Sequence, residues 1–250
     1  MRITIALIAV AACAGSSLAQ PILYGNFNAT HYIFQGVTEN STSPGHVGQT
    51  LFGAPTITDD SMAFNPLNFA SQSTAGPGGF ASDTVDGLLQ FNICANQGSF
   101  VSMFNFNERG DYTLNGLPTA FASASVGCSV NIRVTQVNGV AISPVGFNSG
   151  LLFSPSSGNF VFPPTASASP WTGTGMFDID GFLASLAVTG HATKVEISLD
   201  NVLNTIASNG ATARIVKKQA EGVTINVLPA PGAAALLGLG GLVASRRRRA

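Results

Sequence analysis

Apolar residues recur at every second position through most of this chain. Leu89, Phe91 and Ile93 alternate with Gln90 and Asn92; Cys128, Val130, Ile132 and Val134 alternate with Ser129, Asn131, Arg133 and Thr135; Val195, Ile197 and Leu199 alternate with Lys194, Glu196, Ser198 and Asp200. Successive side chains of a strand point to opposite faces, so each run predicts a strand buried on one side and wet on the other. Shorter runs predict further strands at 30–37, 100–106, 112–114, 160–162 and 175–179. Val223, Ile225 and Val227 give a last strand, expected to pair with 213–217 across a turn at 219–222. Between the two chain ends no segment holds a 3.6-residue period, so helices are expected to be short.

Turn-forming residues fill the gaps, at 41–45, 71–79, 154–158 and 163–173. Many strands joined by such turns need two packed layers to cover their apolar faces. The predicted fold is therefore all-β: a single antiparallel β-sandwich of jelly-roll-like form over residues 20–227. That length suffices for one domain with a real core.

Composition sharpens this picture. Hydrophobic residues make up 45% of the chain and charged residues only 9%, which disfavours disorder and points to a surface solvated by hydroxyls and amides. Within the predicted domain Arg109, Arg133, Lys194, Arg214, Lys217 and Lys218 stand against twelve carboxylates. No basic patch suited to a nucleic-acid backbone follows, so nucleic acid is excluded as a partner. Cys94 and Cys128 are the thiols of this domain. In an oxidising compartment they are expected to pair, and closing that loop would contribute roughly 3 to 4 kcal/mol in the chain-entropy account. Two buried free thiols or a metal pair are the other readings.

Both ends carry transport signals. Met1-Arg2 precedes the apolar run 3–12, and Ser17-Leu18-Ala19 sets small residues before Gln20. Residues 1–19 thus read as a secretory signal peptide cut between Ala19 and Gln20. Val10-Ala11-Ala12-Cys13 offers the alternative of a lipoprotein box with Cys13 as the lipidated residue. Residues 228–250 hold a hinge, Leu228-Pro229-Ala230-Pro231-Gly232, then an uncharged glycine- and leucine-rich segment, then Arg246, Arg247, Arg248 and Arg249. As a helix, 232–244 would span roughly 20 Å, short of a bilayer core of about 30 Å. The arginines would act as a cytoplasmic stop and leave the preceding domain outside.

This order of hinge, apolar helix and arginine block resembles the PEP-CTERM sorting signal of Gram-negative bacteria. The family's Pro-Glu-Pro is here Pro229-Ala230-Pro231. The resemblance implies delivery by the export machinery, processing near Pro231 by an exosortase-like membrane enzyme, transient anchoring through the C-terminal helix, and residence at the cell surface or in the extracellular matrix.

Candidate chemistry is sparse. The histidines are His31, His46 and His191, and no Gly-x-Ser-x-Gly elbow occurs, so no catalysis is expected. Asp178 and Asp180 would share a strand face and are weak calcium candidates, but no full calcium loop is present. No cofactor is expected. Trp171, the single tryptophan, reads as a rim residue over the core or as a carbohydrate platform. The expected function is an exported structural or adhesive surface protein; the alternative is a carbohydrate-binding or polysaccharide-modifying sandwich, with extracellular polysaccharide as the partner.

Overall fold

A computed structural model describes residues 20–162 and 168–229. The strands are β1 (Ile22–Asn28), β2 (Tyr32–Asn40), β3 (Thr56–Thr58), β4 (Ser61–Phe64), β5 (Ala70–Thr74), β6 (Phe80–Ala95), β7 (Val101–Asn115), β8 (Phe121–Val137), β9 (Val140–Gly150), β10 (Leu152–Ser154), β11 (Asn159–Val161), β12 (Ala168–Asp178), β13 (Ala192–Ser208), β14 (Thr212–Lys217) and β15 (Val223–Pro229). The helix α1 (Ile179–Ser185) links β12 to β13. Among the described residues no helix is long and apolar enough to cross a membrane.

These strands form two antiparallel sheets packed as a sandwich. The first runs β1-β2-β6-β13-β8-β11, with β9 also on β8; the second runs β10-β12-β7-β15-β4-β3, with β14 between β7 and β5. From β6 to β8, and again from β11 to β14, the chain passes from one sheet to the other at each strand. That crossing pattern gives the sandwich its jelly-roll-like form.

The alternation read from sequence decides what lies between the sheets. Leu89 and Ile93, Val130, Ile132 and Val134, and Val195 and Leu199 are all fully buried. The second sheet answers with Phe104, Phe106, Ile215, Val223 and Ile225. Each fully buried side chain of this size contributes about 1.5 to 3 kcal/mol. Phe52 and Phe69 meet edge to face at 5.1 Å. Both press on Gly87, where an added Cβ would lie 2.9 Å from Phe69 and 3.0 Å from Phe52.

Several sequence expectations need correction. The stretches 71–79 and 163–173 read as loops, yet β5 and the start of β12 lie in them. In β5 the inward positions are Ser71 and Ser73, whose hydroxyls meet the Thr205 hydroxyl at 2.9 and 2.8 Å; hydrogen bonds there replace apolar packing. In β12, Pro170 pairs with Asp111, while β10 covers the other edge only at 172–174. Proline is tolerated where no neighbour needs its missing amide hydrogen.

Strands β14 and β15 do not pair with each other. Both lie along one edge of β7, 212–217 opposite 115–110 and 223–229 opposite 108–101, so they form one strand line interrupted at 218–222. The excursion sits opposite Arg109 alone. Its guanidinium donates to Ala220 O at 2.8 Å, Glu221 O at 3.2 Å and Glu221 Oε2 at 3.1 Å. The fifteen-residue β7 is long enough to hold both segments, and Arg109 ties down the chain between them.

The disulfide expectation also fails: Cys94 and Cys128 are both free. Cys94 lies opposite Lys194 and Cys128 opposite Asn201, on the two flanks of β13 and seven residues apart along it. At about 3.3 Å per residue that offset alone is roughly 23 Å, far beyond the roughly 7 Å a bridge allows. Burial raises the pKa of both thiols, most strongly that of Cys128. Peptide maps of the folded chain from Gln20 onward, run with and without reductant, should therefore be identical. Recovery of a Cys94–Cys128 linked peptide would contradict this register.

Candidate functional site

The outer face of the first sheet is built from the polar half of the same alternation. Across β6, β13 and β8 its rows read Gln90–Ser198–Asn131 and Asn92–Glu196–Arg133. Strand β9 adds Asn148 beside Asn131, whose Nδ2 donates to Asn148 Oδ1 at 2.5 Å. On the other flank β2 adds Thr38 beside Gln90 and Gln35 beside Asn92. Between Gln35 and Thr38 strand β2 carries one more residue than β6 opposite. Gly36 takes φ +65° there, a conformation open to glycine and suited to a bulge, and its amide donates to Asn26 Oδ1 at 2.8 Å.

This bulge borders an open groove of about 390 Å³ lined by Gly36, Thr38, Gln90, Asn92, Asn131, Arg133, Glu196 and Ser198. Its charges are Arg133 and Glu196, half-exposed and 3.5 Å apart; the rest of its polar lining is amide and hydroxyl. Such groups offer donors and acceptors together without net charge. Cys94 stands near the groove, with Sγ 3.5 Å from Gln35 Oε1.

Along the same face the polar rows continue. Thr84 donates to Asn204 Oδ1 at 2.8 Å, and Asn204 Nδ2 lies 3.5 Å from Ser125 Oγ. The strip then ends in a row of Phe80, Ser208 and Phe121. Phe80 is 71% exposed and Phe121 43%. With one strand between them, their backbones stand about 10 Å apart. The groove row at Ser198 and this aromatic row are ten residues apart on β13, roughly 33 Å.

The residues singled out from sequence lie elsewhere and serve structure. Asp178 ends β12 and caps α1, accepting from the Gly181 amide at 2.8 Å. Asp180 lies within α1 and meets His191 Nδ1 at 3.1 Å. The pair therefore does not share a strand face, because the chain turns into the helix between them. Among the described residues no group of three or more His, Cys, Asp or Glu is placed to hold a metal.

His31 is held through Nδ1 by Asp60 at 2.6 Å, and Asp60 also accepts the His31 amide at 2.7 Å. Beside it, burial and then the Asp60 charge push the Tyr32 hydroxyl up to about 12. Asp83 accepts the Gln72 amide, and Asp86 accepts the hydroxyls of Thr42 and Ser43. Trp171 is neither rim nor platform: it is 1% exposed, lying over Gly110 inside the sandwich. Leu228 and Pro229 belong to β15, opposite Met103 and Val101. Residues 1–19, with Cys13 and Ala19, and residues 230–250, with Ala230, Pro231, Gly232 and Arg246 to Arg249, lie outside the described residues; Gln20 is the first described.

The alternation in the sequence gives β2, β6, β8 and β13 of the outer face, but neither β9 nor the groove. Composition announces the amides and hydroxyls, whereas their convergence depends on strand register.

No protein-family model matches this chain, and no curated protein does. Among solved structures it is faintly similar to the enzymatically active domain of tailspike protein 4 of bacteriophage CBA120, with 11% identity and a TM-score of 0.23. That match covers 77% of this chain and 19% of the other, so the chain spans about a fifth of the tailspike chain's length. It is also faintly similar to TmCBM61, solved in complex with β-1,4-galactotriose, with 6% identity and a TM-score of 0.20 over 60% of this chain and 70% of that one. Neither likeness is close enough to inform fold or function.

Proposed function

We propose that this chain is an exported, non-catalytic β-sandwich held at the cell surface or in the extracellular matrix, where it adheres to polysaccharide through the outer face of its first sheet. The observation that carries the adhesive part is the amide- and hydroxyl-lined groove around Gln90, Asn92, Asn131 and Ser198. A polysaccharide presents hydroxyls that both donate and accept, and primary amides match both roles. An open groove on a sheet face suits a long chain better than a small enclosed substrate. Phe80 and Phe121 add apolar surface at the far end of the same strip. The export part rests on the two terminal signals: the export machinery would carry the chain out, and an exosortase-like enzyme would process the tail.

Electrophoresis through gels containing the host's own matrix polysaccharide tests the adhesive part. The wild-type chain should be retarded. Replacing Asn131 and Asn148 together by alanine should weaken that retardation roughly thirtyfold, since each of the two lost hydrogen bonds is worth about 1 kcal/mol, with the melting temperature nearly unchanged. Wild-type mobility that is indifferent to every matrix polysaccharide would overturn the reading, as would a double variant that binds like the wild type.

A further inference from the structure

Three polar residues occupy inward positions where the period-two pattern calls for apolar ones. In β14 the inward series is Ala213, Ile215, Lys217; in β13 it is Leu199, Asn201, Leu203; in β7 it is Phe104, Phe106, Glu108. Lys217 is 1% exposed, Asn201 0% and Glu108 2%. Among the described residues Lys217 is the only lysine or arginine buried in this way.

The three meet between the sheets. Lys217 Nζ donates to Glu108 Oε2 at 2.6 Å and to Asn201 Oδ1 at 2.8 Å. Apolar rings flank the nitrogen, with the Phe69 centroid at 5.2 Å and the Trp171 centroid at 5.4 Å. Glu108 Oε1 and Asn201 Nδ2 have no hydrogen-bond partner. As a structural ion pair this is a poor arrangement, because two desolvated charges and two unpaired polar atoms cost more than an apolar trio of similar volume. As a reaction centre it is complete: an amine, a carboxamide carbon one bond from the oxygen it touches, and a carboxyl group on the amine, all shielded from water.

We propose that Lys217 and Asn201 join in an intramolecular isopeptide bond, formed with Glu108 as the acid–base catalyst and with release of ammonia. A proton passes from Lys217 Nζ to Glu108 Oε2 and frees the nitrogen lone pair, which attacks Asn201 Cγ. The Nζ–Cγ bond forms and the carbonyl electron pair moves onto Oδ1. Glu108 then gives its proton to Nδ2; the carbonyl re-forms, the Cγ–Nδ2 bond breaks, and ammonia leaves. Glu108 takes a second proton from the new amide nitrogen and keeps it, so ammonia leaves neutral and the buried site ends without charge. One of the three protons on Nζ remains on the amide. Nothing is oxidised or reduced, and no further reactant is needed.

The bond would fasten β13 of the first sheet to β14 of the second across the middle of the core. A surface protein under tension would then resist separation of its two layers covalently. Such a link also removes the buried charge pair, which explains how polar residues persist in an otherwise apolar centre.

Mass spectrometry of the folded full-length chain tests this. Trypsin should give segment 195–214 joined to segment 215–218 as a branched species lighter than the sum of its parts by one ammonia, because an acylated Lys217 is not a cleavage site. The branched peptide must be located by fragmentation, since cyclisation of an N-terminal Gln20 releases the same mass. Glu108→Gln should leave Lys217 and Asn201 unlinked. Free, linear 215–217 as the main product from folded wild-type chain would overturn the bond, whether or not the variant folds. A branched peptide formed as fully in Glu108→Gln would overturn the role of Glu108.

Discussion

Replacing Gly110 by alanine is expected to cost on the order of 3 kcal/mol, at or beyond the upper end of ordinary overpacking. Gly110 pairs with Trp171 on one side of β7 and with Lys217 on the other. A Cβ there would lie 2.1 Å from Val216 O and 2.3 Å from the Trp171 ring. One obstacle is backbone inside a sheet and the other is a fully buried indole, so neither can yield cheaply. Urea unfolding should show a lower midpoint with little change in slope. Gly127→Ala is the control: it lies in β8, and an added Cβ would meet nothing within 4 Å. It should be neutral or slightly stabilising, because alanine narrows the unfolded ensemble. A Gly110→Ala chain as stable as the control would contradict the packing of Trp171 over β7.

Removing the Glu39 carboxylate should have an effect of similar size. Glu39 is 1% exposed and accepts the amides of Leu51 at 2.7 Å, Phe52 at 3.0 Å and Gly53 at 3.1 Å. Those bonds hold the buried Leu51 and Phe52 in the core. Leaving three buried amides without an acceptor costs about 1 kcal/mol or more apiece, so Glu39→Ala should cost at least roughly 3 kcal/mol and release the 51–53 segment. Amide hydrogen exchange at these three positions should accelerate with the global loss.

A pH dependence follows from the same residue. Burial raises the Glu39 pKa, against the lowering pull of the three amides, so the folded chain binds this proton more tightly than the unfolded one. Its contribution is therefore full below the ordinary glutamate value of about 4.3 and declines as pH rises through the folded value. Glu39→Gln cannot titrate, so wild-type stability should fall relative to this variant over that window. A difference that stays flat, or runs the other way, would contradict the burial of a net-raised carboxyl.

How far the fold was legible follows from which face each residue meets. Runs such as Val195, Ile197 and Leu199 announced themselves because burial on one side is written as alternation. The sequence pattern of β7 breaks into two pieces, 100–106 and 112–114, because Glu108 and Gly110 stand at inward positions where alternation expects apolar side chains. The serines of β5 hid that strand for the same reason. Pairing was not legible: sequence cannot say that β14 and β15 share one edge of β7, or that β13 separates Cys94 from Cys128. The candidate groove was visible only as an excess of amides and hydroxyls. In the sequence Lys217 is one of six cations of the domain, and only the register that sets it near Glu108 and Asn201 reveals it as buried.

The proposed function requires this sandwich to work outside the cell and to be retained there. Intact mass and cell fractionation of the mature protein from its native host test it most directly. The expected result is a surface or matrix fraction whose chain begins at Gln20 and lacks the Arg246 to Arg249 block. A cytoplasmic chain that retains both Met1 and the arginine block would contradict it.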